Sequence, residues 1–221
     1  MRLTEKYQEV SEITKGTTYE SFFNILHLLA TCSYLSFAQL NAYNPKICTD
    51  KGRLHKLTTL VELGYMNRQD GIYIPTEKTI KVLADEGYNV DILPALPTGQ
   101  GNAHSLAVSE AIIKAMKEPF FHAIIRPYFK YLIPDFAVVY KNGDKAKLVF
   151  VEVEETDKPD SYLEEKRVKY NQLARDPQAY KTWKYWAEKL GLRVCSESEF
   201  CFSIKCYGDT KEGWGRWQSI K

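Results

Sequence analysis

Between Leu132 and Glu154 the chain carries two apolar runs on either side of a turn, and few local structures satisfy that pattern. The first run is Phe136-Ala137-Val138-Val139-Tyr140 and the second is Leu148-Val149-Phe150-Val151. Both are rich in β-branched and aromatic residues, and Asn142-Gly143-Asp144 between them is a strong hairpin signal. The pattern predicts two antiparallel strands, one opened by Asp135 and the other closed by Glu152 and Glu154. Side chains alternate across a strand, so Glu152 and Glu154 share a face. Antiparallel pairing sets the start of one strand beside the end of the other, so Asp135 is expected to meet both. Close carboxylates repel unless a cation or a proton relieves them. Hard oxygen donors of this kind suit Mg²⁺ or Mn²⁺. An ordinary hairpin with an acidic, solvated end satisfies the same pattern.

The chain before this hairpin reads as helices. Residues 1–18 are polar and charged and look like an arm. Phe22, Phe23, Ile25, Leu26, Leu28 and Leu29 fit an amphipathic helix from Tyr19 to Thr31. Ser36 is a good N-cap for a short second helix, and Asn44-Pro45 marks a turn. A third helix runs from Thr49 or Asp50 to about Leu63 and stops at Gly64. Leu54, Leu57 and Val61 make its apolar stripe, with His55, Lys56 and Thr59 opposite. Two short strands then flank Asp70-Gly71, and a fourth helix covers about Thr76 to Glu86. Three helices and a hairpin are the order of a winged helix-turn-helix, in which the second helix of the motif enters the major groove of duplex DNA. The residues expected to face DNA are Lys51, Arg53, His55, Lys56 and Thr59 on that helix and Arg68 on the wing. A solvated helix face is the plainer reading of His55 and Lys56.

Pro94, Pro97, Gly99 and Gly101 punctuate the next stretch, which reads as a linker. The expected organisation is residues 1–88 as the winged helix, 89–103 as the linker and 104–221 as a second domain. In that second domain His104 to Met116 is a helix and Phe120 to Arg126 a strand. The acidic hairpin follows. Ser161 to Leu173 is a helix bearing Lys166, Lys169 and Tyr170. Pro177 opens another, stopped by Gly191, and Leu192–Cys195 and Phe200–Tyr207 read as strands. The fold class expected is therefore α+β.

Composition sets limits more than it points to a role. The net charge of +2 implies no partner unless basic residues cluster locally. No apolar run approaches the roughly 18 residues of a membrane span, and no leader pattern opens the chain, so a cytoplasmic protein with no membrane partner is expected. The five cysteines form no Cys-x-x-Cys pair. With no Cys or His at ligand spacing, a zinc site is not expected. No phosphate-cradling glycine loop and no nucleophile elbow is present.

The second half, helix, three strands, helix and further strand, resembles the PD-(D/E)xK nuclease-like superfamily. Pro134-Asp135 falls on its second core strand and Glu152-Val153-Glu154 on its third. The resemblance implies a metal held by Asp135 and Glu152, with Glu110 on the preceding helix completing the set. It departs at one position, because the superfamily's lysine falls on Glu154 here. Lys166 or Lys169, one helix on, is the candidate replacement. If neither reaches the acids, the resemblance implies a site without catalysis.

A second resemblance covers nearly the whole chain. Leu57, Leu60, Gly64 and Tyr65 close the winged helix, and a helix begins near His104. Pro134-Asp135, Glu152-Val153-Glu154-Glu155-Thr156, and Lys166 with Tyr170 follow in order. This looks like the replication-relaxation family of plasmid and mobile-element proteins, which joins a winged helix to a PD-(D/E)xK-like domain. That likeness implies binding of double-stranded DNA in replication or its control, and a homodimer is compatible with it. The alternative is a Mg²⁺-dependent DNA endonuclease guided by its winged helix, in which Asp135, Glu152, Glu154 and Lys166 or Lys169 would be catalytic.

Overall fold

The computed structural model describes residues 19–43, 50–99, 101–154, 160–208 and 217–220. The expected arm over 1–18 and the turn at Asn44-Pro45 lie outside them. The chain divides into two compact units, Met1–Glu110 and Ala111–Lys221. It is mixed α+β, with two separate sheets. Among the described residues no helix is long and apolar enough to cross a membrane.

The first unit is built on α1 (Tyr19–Cys32), which buries Phe22, Phe23, Leu26 and Leu29 along one broad face. A two-residue strand, β1 (Leu35–Ser36), leads into α2 (Phe37–Tyr43). Ser36 caps α2 as expected: its Oγ accepts from Gln39 N at 3.2 Å, and Gln39 Oε1 accepts from Ser36 N at 3.0 Å. Next comes α3 (Asp50–Glu62). It ends where Gly64 N donates to Val61 O and Tyr65 N to Leu60 O, both at 2.9 Å, the paired bonds of a Schellman stop. Tyr65, wholly buried, meets Phe22 edge to face at 5.3 Å and ties the end of α3 to α1.

Strands β2 (Met66–Gln69) and β3 (Ile72–Pro75) form the predicted hairpin. Its loop residues Asp70 and Gly71 have φ of 50° and 80°, the two positive values a type I′ turn requires. The sheet order is β1-β3-β2, so the short β1 completes a three-stranded antiparallel sheet. Helix α4 (Glu77–Asp85) packs back on α1. Helix α5 (Ala103–Met116) begins in this unit, where Ser109 Oγ lies 2.5 Å from Tyr34 O and Gln39 Nε2 donates to Leu106 O at 2.6 Å. The division between the units falls within α5.

The second unit is a five-stranded sheet in the order β4-β5-β6-β7-β8. Its strands are β4 (Phe121–Ile125), β5 (Phe136–Asn142), β6 (Lys145–Glu154), β7 (Phe202–Gly208) and β8 (Trp217–Ile220). The β5–β6 hairpin closes on Gly143 and Asp144, and Gly143 has φ 58°, the value a type II′ turn wants at its first loop residue. β7 runs parallel to β6, and the connection between them holds α6 (Asp160–Leu173) and α7 (Pro177–Lys189). Asp176 caps α7, with its Oδ1 accepting from Gln178 N at 2.8 Å and Pro177 at the first helical position.

Helices cover both faces of this sheet. On one face Tyr170 of α6 packs against Phe150 and Phe202, with ring centroids 5.8 and 6.3 Å away. On the other, Lys114 of α5 donates to the Tyr207 hydroxyl at 2.6 Å. The strand expected at Leu192–Cys195 is not one. Leu192 N bonds back to Ala187 O, Cys195 O accepts from the Tyr180 hydroxyl, and the chain then makes a 3₁₀ turn at Glu197–Glu199. With those groups spent locally, the segment joins no ladder.

Candidate functional site

The hairpin register determines which acids meet. Phe136 pairs with Val151, so Asp135 stands opposite Glu152. Asp135 Oδ2 accepts from Val153 N at 2.7 Å, which stitches the start of β5 to the end of β6. Arg126 holds the same corner by donating to the Asp135 carbonyl. Glu152 is 3% exposed, so its charge has almost no water to solvate it.

Two side chains from α6 supply what water does not. The Lys166 ammonium lies 2.9 Å from Glu152 Oε2 and 2.6 Å from Glu154 Oε1. The Tyr170 hydroxyl donates to Glu152 Oε1 at 2.6 Å. Tyr162, one turn before Lys166, turns its ring to the ammonium at 5.2 Å. Tyr162, Lys166 and Tyr170 are spaced four apart, so one face of α6 addresses the acids. Of the two candidate lysines, Lys166 is the one that reaches them. Lys169 instead pairs at 2.7 Å with Glu165 on its own helix, an exposed contact of small energetic weight.

The titration of this cluster follows from its burial and its excess of negative charge. Burial pushes the Glu152 carboxyl above the usual carboxylate range, against the pull of Lys166 and Tyr170, and the neighbouring Asp135 adds to the rise. Lys166 is half-buried, which works against its charge, yet the Glu152 and Glu154 carboxylates raise it above an ordinary lysine. Burial and the Glu152 charge raise Tyr170. Cys206, paired with Glu152 across β6 and β7, is raised for the same two reasons. The four groups therefore hold their protons more tightly than they would in water.

This donor set does not fit a ready-made metal site. Both Glu152 oxygens, one of Glu154 and one of Asp135 already accept hydrogen bonds from the protein. Among the described residues no group of three acidic, histidine or cysteine side chains is arranged to hold a metal ion. Glu110, the third ligand expected from the resemblance, is exposed on α5 in the first unit.

The residues expected to read DNA divide differently. The side chains of Lys51, Arg53 and His55 lie outside the described residues. Lys56 and Thr59 correct the expectation of a solvent stripe, being only 6% and 1% exposed. Leu57 and Leu60 are buried beside them, so the inward face of α3 is centred near Leu60 and the outward one carries Thr58 and Glu62. Arg68 is exposed on β2, with its guanidinium 5.7 Å from the ring of its cross-strand partner Tyr73. His27 is half-buried against Tyr88, and burial lowers its pKa.

The partner role of Tyr170 was the part of the site hardest to foresee, and the one signal for it was its four-residue spacing from Lys166. Comparison with protein families, with characterised proteins and with solved structures returned no match.

Proposed function

We propose that this chain is a DNA-binding protein of plasmid or mobile-element replication or its control. In this reading the first unit is a winged helix that grips duplex DNA. The second is a PD-(D/E)xK-like domain that serves as scaffold rather than nuclease. The observation that carries it is the order α1-β1-α2-α3-β2-β3 with the sheet order β1-β3-β2 and an exposed arginine on the β2–β3 hairpin. That arrangement supports insertion of α3 beside a wing on the phosphate backbone. The test is duplex binding across a salt series. Affinity falls steeply with salt because phosphate contacts release counterions, and Arg68→Ala lowers the slope by about one contact. Salt-independent binding, or none, sinks the reading.

Lys166 supports placing DNA binding above cleavage. Its ammonium bridges the two glutamates and occupies carboxylate oxygens that a metal would otherwise take. The same lysine favours a second reading, a metal-dependent endonuclease, because it brings from α6 the positive charge that the β6 motif lacks at Glu154. Cleavage of plasmid DNA that needs added Mn²⁺ and disappears in Asp135→Asn would favour that second reading.

A further inference from the structure

The loop from Arg126 to Asp135, between β4 and β5, is anchored at several points but displays large side chains outward. Phe129 and Leu132 bridge each other through two backbone hydrogen bonds of 3.2 and 3.3 Å, making a tight turn around Lys130 and Tyr131. Phe129 is buried edge to face on Phe150, with 5.8 Å between ring centroids. Pro127 and Pro134, both buried, fix the backbone at either end. The Tyr131 hydroxyl donates to Asp176 Oδ2 at 2.8 Å, which orients its ring. Against this anchored frame Tyr128 is 69% exposed and Ile133 63% exposed, with Lys130 exposed between them.

An ordered loop that leaves this much apolar surface in water marks an interaction site. Its charge identifies the occupant. From Pro119 to Pro134 the chain contains no acidic residue, and Lys130 stands exposed between Tyr128 and Ile133, with Asp176 meeting the loop at the Tyr131 hydroxyl. Lysine is depleted from the cores of protein–protein interfaces. Exposed aromatic rings beside a cation are instead the requirements of a single nucleic-acid strand, whose bases stack and whose phosphates need positive charge. A paired duplex hides the base faces that such rings would stack on.

We infer that the β4–β5 loop is a platform for an unpaired stretch of DNA, with Tyr128 stacking on a base and Lys130 on its phosphate. This rests on the DNA-binding reading and adds a substrate class to it: the protein prefers DNA that is partly melted or forked. The loop runs through Ile133 and Pro134 into Asp135, which stands at the edge of the Glu152–Lys166 cluster.

The experiment is fluorescence anisotropy of the full chain with a forked DNA and with a fully paired duplex of the same sequence. Wild type binds the fork more tightly. Tyr128→Ala lowers affinity for the fork by roughly five- to a hundredfold, the range for one stacked base, and leaves the duplex unchanged. Tyr128→Phe keeps the preference because it keeps the ring. Tyr128 is exposed, so these variants retain the wild-type melting temperature. Equal affinity for fork and duplex, or a fork preference untouched by Tyr128→Ala, overturns the inference while leaving duplex binding standing. Failure to bind any DNA overturns both. Loss of self-association in Tyr128→Ala, with fork binding unaffected, overturns it by assigning the surface to a second copy of this chain.

Discussion

Lys166 and Glu152 come from different elements, α6 and β6, and meet at 2.9 Å where the carboxylate is almost wholly out of water. Removing one partner of such a pair costs more than the pair is worth, because the other charge is left without compensation. Lys166→Met is expected to destabilise the fold by about 3 kcal/mol at neutral pH. Urea denaturation measures this, and the loss shrinks at acid pH, where burial favours the protonated Glu152. An unchanged midpoint at both pH values would show that the pair is energetically idle.

Glu152 makes a prediction about pH with a definite sign. Its folded pKa is raised above the ordinary value of 4.5. In the window between 4.5 and the raised value the folded state binds a proton that the unfolded chain has released. Stability therefore falls as pH rises through that window. Glu152→Gln removes this slope while its amide oxygen still accepts from Tyr170. Parallel stability–pH curves for wild type and variant would mean that Glu152 is not the titrating group.

The buried pair on the other face of the sheet predicts an asymmetry. Lys205 Nζ lies 2.8 Å from Glu118 Oε1, but the lysine side chain is 3% exposed and the glutamate 28%. Glu118 also accepts from the Tyr140 hydroxyl. Glu118→Ala strands an ammonium in the interior, whereas Lys205→Met leaves a carboxylate that can reach water. Glu118→Ala is expected to cost about 3 kcal/mol and Lys205→Met clearly less. Equal losses in thermal or urea unfolding would contradict the burial argument.

Mn²⁺ distinguishes a lysine-filled cluster from a metal-filled one. Only a folded protein that binds the ion gains stability from it, and with Lys166 in place the shift in Tm at millimolar Mn²⁺ is expected to stay below about 1 °C. Lys166→Ala frees the oxygens of Glu152 and Glu154 and should restore a response of several degrees. A strong response in wild type would mean that metal displaces the lysine.

The parts of this architecture that were legible from sequence are those governed by local rules. Asp70-Gly71 and Gly143 set their hairpin turns through positive φ values, and Ser36 with Gln39 caps α2 within four residues. The carboxylates of Asp135 and Glu152 could be paired on paper because register follows from the turn. Burial on α3 was less legible: Leu54, Leu57 and Val61 suggested one stripe, and packing of Leu57 and Leu60 drew Lys56 and Thr59 inward instead. Leu192-Arg193-Val194-Cys195 alternates like a strand, yet Tyr180 and the end of α7 consume its backbone groups. β1 is too short to show a period, and the parallel register of β7 on β6 depends on two intervening helices.

Whether the chain binds DNA without cutting it is decided on one gel. Supercoiled plasmid is incubated with the purified full chain in millimolar Mn²⁺, and half of each reaction is stripped of protein before loading. Retarded plasmid is expected in the untreated half and intact supercoiled plasmid in the stripped half. Nicked or linear product that vanishes in Asp135→Asn, or plasmid that is never retarded, would contradict the proposed function.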